Sequence, residues 1–472
     1  MLYEPVRLIW SMPMVEAMMI AQIRRMPEGF GEVGGETLIH PVGLTAVLVL
    51  GIIMLVVPRR WAVLPMMAIA CFIPSAQRIV LFNLDFTLLR IMVAFGVLRL
   101  LVRGEHDNFQ WKPIDKAMLW YVFIATIVYT VQVGTFAALV NRLGFAFDAL
   151  GLYFLFRCLI RRWEDIDCAV LGTIVLAVGV AVAFGFEHAT QRNIFSVFGG
   201  VPEITAVREG KLRCQGPFAH PILAGCFWAT LLPLFAGQWW KDASGRVWAV
   251  IGVASGVFVI FTCNSSTPVA GLASAVIGGL AFFARRHMRE IRWAIACSLL
   301  GLHMVMKAPV WHLIHRASSL IGGGTGYHRF LLIDSSIRHF GEWWLLGTRS
   351  TAHWGWGLQD VTNQYVLEGV RGGLITLVLF MVVIVLAFRG VGHLWRLTSG
   401  HRFHLALSWA MGVGLFVHCM NFIGVSYFGQ MHIVWYLVLA MIGSMCPKSE
   451  RLYREAMTVV NNARLQKCSR AV

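Results

Sequence analysis

The stretch GGLITLVLFMVVIVLAF, residues 372–388, has no charged side chain between Arg371 and Arg389. A helix that crosses a bilayer needs about 20 predominantly apolar residues, and this stretch completes one such segment, residues 364–388. The composition of all 472 residues agrees, since 58% are hydrophobic and 14% are charged, whereas soluble domains are roughly half apolar and a quarter charged. The sequence therefore predicts an all-α polytopic membrane protein.

The same length criterion predicts twelve further spans from residue 41 onward. They lie near residues 41–57, 61–80, 84–102, 117–136, 138–159, 166–187, 218–239, 247–263, 267–284, 291–310, 403–424 and 430–446. An apolar stretch at residues 6–23 contains Arg7 and Glu16, so it is either an interfacial helix or a weak span. We expect about 12 to 14 transmembrane helices. The chain is predicted to have three parts. These are an N-terminal interfacial or weakly spanning segment (1–40), a transmembrane catalytic domain (41–446) and a basic cytoplasmic tail (447–472).

Lysine and arginine cluster in alternate connections between the predicted spans and in the C-terminal tail, as at Arg59–Arg60, Arg161–Arg162 and Arg285–Arg286. Cytoplasmic loops carry an excess of these residues, so the clusters and the C-terminus are predicted to face the cytoplasm. Two longer connections, residues 188–217 and 311–363, then face the extracytoplasmic side. Loops of more than about 12 to 15 residues are usually functional, so we expect the chemistry there.

Several classes of function do not fit the sequence. The formal net charge of +16 does not indicate nucleic acid as a partner, because the basic residues are spread between apolar segments and not gathered in one patch; the predicted partner is the lipid bilayer. No GxxxxGK[ST] phosphate loop indicates a nucleotide motor. The ten cysteines have no CxxC spacing, and the pair His312 and His315 has no nearby carboxylate. We therefore predict neither a metal site nor another cofactor.

The first long connection enters the next span as VREGKLRCQGPFAHPILAG, residues 207–225, in which Arg208, Lys211 and Arg213 precede His220. Positive charge is normally depleted on the extracytoplasmic side, so this cluster needs a reason. A guanidinium offers a planar fork of donors that matches phosphate oxygens. The cluster indicates a phosphate-bearing ligand, or else a solvated basic loop that touches lipid headgroups.

The second long connection combines charged, imidazole and aromatic side chains. They are Arg329, Arg338, Arg349, His328, His339, His353, Asp334, Glu342, Asp360, Trp343, Trp344, Trp354 and Trp356. Aromatic rings beside polar groups suit the apolar face of a sugar, although tryptophan is also typical of the membrane interface. Arg329, Asp334 and Arg338 fall at roughly helical spacing, so a short outer helix presents them along one side, or they form an ordinary solvated face.

Three arginines lie within or at the outer ends of predicted spans: Arg78, Arg90 and Arg371. An unpaired charge inside the bilayer costs at least ~2.5 kcal/mol. We therefore expect these three side chains to face a polar cavity.

Three segments resemble motifs of one family. RCQGPFAHPILAG, residues 213–225, is similar to the RxxGxFxHPNxLA signature of the O-antigen ligase and Wzy-type polymerase superfamily. DVTNQYVLEGVRGGL, residues 360–374, is similar to that family's HNxYLxxxxxxGxxG segment, which opens the helix after the large periplasmic loop. GYHR, which ends at Arg329 and precedes DSSIRHFGEWWLLG, resembles the family's GR before a short helix and an LLGxG turn.

The resemblance implies a C-type glycosyltransferase-like enzyme of the bacterial inner membrane with its active site on the periplasmic side. Such an enzyme transfers a glycan from undecaprenyl diphosphate to an acceptor hydroxyl without a metal. Arg213 and Arg329 match the family arginines that bind the donor diphosphate. Ile222 replaces the family's Asn, and Thr362 replaces the His that is the family's proposed base.

The chemistry of the residues agrees with this reaction. Cations stabilise charge on the departing diphosphate, and a base accepts the proton of the acceptor. Asp360 is the first candidate for this base and His353 the second. The predicted substrate-binding residues are Arg208, Arg213, His220, Arg329, Arg338, Asn363 and Arg371.

Three functions remain open from the sequence. The first is a polymerase of lipid-linked repeat units in exopolysaccharide or O-antigen biosynthesis, and the second is a ligase that transfers the glycan to a lipid or protein acceptor. The third is a non-enzymatic transporter or flippase of the same lipid-linked glycan. The concentration of polar residues in two outer loops favours an enzyme over a transporter, which would place its charges within the bilayer. Expected partners are the undecaprenyl diphosphate-linked glycan, a glycan or lipid acceptor, and other polysaccharide-assembly proteins.

Overall fold

A computed structural model of the chain describes residues 37–81, 84–107, 109–320 and 326–446. The structure is mostly helical, with 75% of residues in helices. The predicted N-terminal segment (except residues 37–40), the glycines at 322–324 and the basic tail lie outside the described residues.

Seven of the described helices are long and apolar enough to cross a membrane. We label them with the other α-helices in chain order: α4 (Pro113–Val133), α5 (Phe136–Leu159), α6 (Trp163–Thr190), α7 (Pro221–Gly237, extended to Trp240 by a 3₁₀ turn), α8 (Ala243–Thr262), α14 (Gln364–Leu397) and α15 (Arg402–Gly424). An eighth candidate is the pair α9 (Ser266–Leu280) and α10 (Met288–Val305), which is bent by 97° and is either a broken span or a re-entrant loop. These helices are consistent with the predicted all-α membrane protein. The total of 12 to 14 spans stays a prediction.

The remaining helices are shorter. They are α1 (Pro41–Val56), α2 (Leu64–Phe72), α3 (Leu88–Arg103), α11 (Leu313–Leu320), α12 (Gly326–Arg338), α13 (Phe340–Trp343) and α16 (Met431–Met445). Two antiparallel hairpins complete the described structure: β1 (Arg78–Leu81) with β2 (Leu84–Thr87), and β3 (Ala206–Arg208) with β4 (Lys211–Arg213).

The predicted span at residues 61–80 is wrong, because α2 is only 9 residues long and the β1–β2 hairpin follows it. Pro74 explains the early end, since the residue before a proline is disfavoured in helical conformation. Ile73 is accordingly extended, with φ −118° and ψ 129°. The predicted span at residues 84–102 is likewise shortened, and its helix begins at Leu88.

The centre of the bundle is α7, which packs against α8, α9 and α15. Nearly all of its side chains are buried, and Trp228, Phe227 and Phe235 are among the largest fully buried side chains of the described residues. Because this helix is apolar all round, it is enclosed by other helices. It therefore fixes the position of the loop that precedes it, residues 214–220.

The two long connections meet at one end of the helices, which we call the loop end. Cys214 donates its backbone N–H to Thr262 O at the end of α8 (3.1 Å), and Arg329 of α12 donates to Thr267 Oγ1 of α9 (2.6 Å). The second connection also has a small core of its own: Leu332, Trp343, Trp354, Leu358, Val361, Leu367 and Val370. Both predicted loops are therefore folded structures held against the helices.

Helix α14 is interrupted at Gly373, which has φ 69° and ψ −179°. Backbone groups freed by the interruption are satisfied from the second connection: Leu374 donates its N–H to Trp344 O (2.7 Å), and Val370 O accepts from Thr348 N (2.7 Å). Gln132 Nε2 also donates to Val370 O (3.1 Å). Only glycine readily adopts this conformation, so the GG pair of the sequence places a short segment, residues 364–372, before the long span.

Candidate functional site

The loop between β4 and α7 is fixed by buried hydrogen bonds. The Glu187 carboxylate, which is 1% exposed, accepts from Gln215 N (3.1 Å) and Gly216 N (2.9 Å). Pro217 O accepts from Gln430 Nε2 (3.0 Å). These bonds hold Arg213 at one side of the loop and His220 at the other. The sequence motifs do not include Glu187, although a carboxylate within an apolar segment is a signal for a structural or functional role.

His220 is the N-cap of α7, and its Nδ1 accepts from Ile222 N (3.1 Å). A neutral imidazole is required for this bond, because a protonated ring has no acceptor nitrogen. Burial, with the nearby Arg213 and Arg208, lowers the pKa of His220 to about 4. His220 therefore remains neutral and caps the helix at neutral pH.

Arg329 reaches the same region from α12. Its side chain is buried, and besides its bond to Thr267 it packs so closely against Gly424 that a Cβ there would lie 3.3 Å from Arg329 Cζ. Burial lowers the pKa of the Arg329 guanidinium, and Arg208 lowers it further. Gly424 thus leaves the space that the guanidinium occupies.

We call Arg208, Arg213 and Arg329 the cation cluster. These arginines act electrostatically on one another and on the neutral His220. Burial and Arg208 lower the pKa of Arg213, as they do for Arg329. Neither buried arginine forms an ion pair with a carboxylate in the described part of the chain, and Arg213 Nε has no hydrogen-bond partner there. Arg208 is exposed and pairs with Glu209 (3.7 Å), but two buried arginines without carboxylate partners are suited to an anionic ligand.

Asn363 lies next to this cluster at the start of α14. Its Oδ1 accepts from Val366 N (3.1 Å) as the helix cap, and its Nδ2 donates to Ile423 O (3.1 Å), one residue before Gly424. Both ends of the amide are used by the protein. Asn363 therefore positions the start of α14 beside Arg329.

Asp360 lies on the exposed surface of the segment before Asn363. A Cβ at Gly357 would lie 3.8 Å from the ring of His328, so this segment lies near the start of α12. No hydrogen bond or ion pair joins the Asp360 carboxylate to another described side chain. Convergence of Asp360 with Arg213 and Arg329 stays a prediction.

His353 belongs to a separate exposed group. Its Nε2 lies 2.7 Å from Glu342 Oε2, which also accepts from Trp354 Nε1 (3.0 Å). The indole of Trp354 stacks on His339. The Trp354 hydrogen bond, followed by that from His353, lowers the pKa of Glu342. His353 is therefore already engaged by a carboxylate.

The predicted short outer helix is present as α12, but its charges do not share one side. Arg329 is buried, whereas the Arg338 side chain is 75% exposed and pairs with Asp334 (2.8 Å). Nine residues separate the two arginines, which is half a turn out of phase at about 3.6 residues per turn. The structure does not bring Arg338 to the cation cluster.

Of the three arginines expected to face a polar cavity, Arg371 lines one of about 140 Å³ with Arg142 and Glu368. Arg90 instead forms a bidentate pair with Asp148 (2.9 and 2.8 Å), and Arg78 pairs with Asp85 (3.4 Å). Arg142 is not among the arginines predicted to face a cavity, although it lies within a predicted span.

Comparisons with known proteins add no assignment: no protein-family model matches the chain, and no curated protein matches it significantly. In the described ranges, no group of three or more His, Cys, Asp or Glu side chains is arranged to hold a metal ion. The rings of His312 and His315 contact each other edge to face, with centroids 5.4 Å apart. The observations define a helical protein with candidate membrane spans and a cation cluster at its loop end.

Proposed function

We propose that the protein is a membrane glycosyltransferase that polymerises undecaprenyl diphosphate-linked glycan repeat units in exopolysaccharide or O-antigen biosynthesis. The observation that carries the proposal is the cation cluster, in which two buried arginines from separate connections lack carboxylate partners among the described residues. The three segments that resemble motifs of the O-antigen ligase and Wzy-type polymerase superfamily support the same assignment. The protein would have about 12 to 14 transmembrane helices in the bacterial inner membrane, with the loop end on the periplasmic side.

In the proposed reaction, an acceptor hydroxyl oxygen attacks the anomeric carbon of the donor glycan. The bond between this carbon and the diphosphate oxygen breaks, undecaprenyl diphosphate leaves with the electron pair, and the anomeric centre is inverted. Arg213 and Arg329 stabilise the charge on the departing diphosphate. The hydroxyl proton passes to a base, for which the exposed Asp360 carboxylate is the first candidate.

Two substitutions distinguish the candidate bases. Asp360→Asn removes a proton acceptor but preserves size, so turnover of an undecaprenyl diphosphate-linked repeat unit should fall by roughly 10² to 10⁴ while donor binding persists. His353→Ala should retain turnover if Asp360 is the base, because His353 belongs to a separate exposed group with Glu342 and Trp354. Normal turnover of Asp360→Asn together with loss in His353→Ala would transfer the base role to the histidine.

If arginines stabilise the leaving group, the purified enzyme should not need a metal ion. Turnover should persist in EDTA, since arginine supplies the positive charge that Mg²⁺ supplies in other phosphate chemistry. Loss of turnover in EDTA and its recovery with Mg²⁺ or Mn²⁺ would contradict this mechanism.

A ligase would use the same donor chemistry and differ in the acceptor. Glycan analysis of a deletion strain separates the two: single repeat units without polymer indicate the polymerase, and long polymer that stays unattached indicates the ligase. The proposed orientation is tested by labelling a cysteine introduced at Ser350, an exposed position. A membrane-impermeant reagent should modify it in intact cells stripped of their outer membrane.

A further inference from the structure

A second cationic site lies in the cavity of about 140 Å³ between α4, α5, α14 and the connection that precedes α16. Its lining includes Arg142, Arg371, Glu368, Gln364, Tyr427 and Phe428. One water molecule occupies about 30 Å³ in the liquid, so the cavity has room for a group larger than a single water. Phe428 is 46% exposed, which places the mouth of the cavity at the molecular surface.

The cavity has an excess of positive charge. Its two arginines face a single carboxylate, Glu368, which already accepts from Tyr121 OH (2.9 Å) and Gln364 Nε2 (2.7 Å). The other carboxylate nearby, Asp148, is held by Arg90 through two hydrogen bonds. Whether Glu368 is ionised or protonated, the sum of charges on these three lining groups is positive.

Arg142 is the side chain that indicates binding of a ligand. It is 7% exposed, and its Nε has no hydrogen-bond partner among the described residues. Its guanidinium lies over the ring of Tyr129, with Cζ 3.7 Å from the ring centroid. Stacking on an aromatic face leaves the donors at the edge of the guanidinium available. These edge donors fit an anionic oxygen group.

Neighbouring residues of two chain segments belong to the cavity and to the surroundings of the cation cluster. In α14, Asn363 bonds beside the cation cluster, whereas the next residue, Gln364, lines the cavity and accepts from Tyr427 N (2.7 Å). At the end of α15, Gly424 contacts Arg329, and in the connection from α15 to α16, Tyr427 lines the cavity. Two anionic groups bound at these places would therefore be close neighbours.

We propose that the Arg142 cavity is a second anion site, which binds the phosphate group of the lipid-linked acceptor while the cation cluster binds that of the donor. This inference rests on the proposed function and extends it, because only a polymerase uses two lipid diphosphates at once. A ligase that transfers to a lipid core or protein has no need of a second diphosphate site. The site therefore assigns the acceptor class.

Binding of radiolabelled undecaprenyl diphosphate to the purified full-length protein in lipid nanodiscs tests the proposal. The wild-type protein should bind two equivalents. Arg142→Lys retains the buried charge but loses the planar fork, so the affinity of one equivalent should fall by about tenfold or more. Arg213→Lys should weaken the other equivalent, and the double variant should weaken both. Arg246→Gln is the matched control, because Arg246 is exposed and contacts Trp239 outside both sites; it should bind two equivalents.

The outcomes distinguish failure of the second anion site from failure of the proposed function. One equivalent that depends on Arg213 and not on Arg142 would overturn the second site and leave the proposed function standing. Binding that depends on neither arginine would overturn both. Inorganic phosphate and unlabelled undecaprenyl diphosphate can each be tested as competitors of the Arg142-dependent binding. If the two compete equally well, the site takes a free anion, and the assignment to a lipid-linked acceptor is overturned. Phe428→Trp, which enlarges a side chain at the mouth, should slow binding of the Arg142-dependent equivalent alone; equal slowing of both would contradict the assigned entrance.

Discussion

The buried arginines at the two ends of the helix bundle differ in whether they have carboxylate partners. At the end opposite the loop end, which we call the paired end, charged side chains have partners: Arg157 with Asp115 (2.9 Å), Arg99 with Glu105 (2.8 Å), Lys241 with Asp167 (2.6 Å) and Arg59 with Asp165 (3.3 Å). At the loop end the exposed Arg338 also has a carboxylate partner, but the buried Arg213 and Arg329 have none in the described part of the chain. The same residue type thus stabilises the fold at one end and is available for a ligand at the other.

The largest expected effect is on stability at the paired end. Arg157→Ala would leave Asp115, which is 0% exposed, as a buried carboxylate without its main counter-ion. Removal of one partner of a buried ion pair costs about 3–5 kcal/mol. We expect a strong fall in the thermal unfolding midpoint in detergent, whereas turnover per folded molecule should be unchanged. A normal midpoint would remove the distinction between the two ends.

Arg213→Lys should have the opposite profile. The lysine keeps a positive charge but loses the donor fork, so turnover should fall by about 10²–10³-fold, as for the loss of one donor to a developing anion. The unfolding midpoint should change little, because the arginine has no carboxylate partner to lose. Arg329→Lys should behave in the same way. Full turnover in both variants would contradict diphosphate binding by the cation cluster.

A substitution at the interruption of α14 should have a smaller effect on stability and turnover. Gly373→Ala would bring a Cβ against Leu345 O and place alanine at φ 69°, at a cost of at least about 2 kcal/mol. Gly392→Ala in the same helix is the matched control, since its Cβ would meet nothing within 4 Å. The first variant should lower the unfolding midpoint and turnover, and the second should be neutral or slightly stabilising. Equal behaviour would show that the break is not required.

The sequence predicts features that depend on local composition. Long apolar segments identify the candidate spans, because burial in lipid demands them, and positive charge before His220 indicates the cation cluster. The sequence does not predict that Gly373 interrupts α14, since the groups that satisfy the break come from Trp344 and Thr348.

Long-range packing also separates residues that look alike in sequence. Arg90 and Arg371 are both arginines in apolar segments, yet Arg90 meets Asp148 and Arg371 lines a cavity. Which partner a charge finds depends on contacts between distant helices, and local composition carries no information about them.

The smallest predicted effect concerns His220 and acidic pH. Its pKa is lowered to about 4 in the folded state, against about 6.5 in an unfolded chain. Between these values the unfolded state binds the proton and the folded state does not, so the stability that neutral His220 contributes is complete above pH 6.5 and declines as the pH falls towards 4. The loss should be about 1 kcal/mol at pH 5.5. His220→Asn keeps an acceptor for Ile222 N and has no titratable group, so its unfolding midpoint should vary less between pH 7 and pH 5 than that of the wild-type protein. Equal pH dependence of the two proteins would show that burial and the nearby arginines do not lower the pKa of His220 in the folded state.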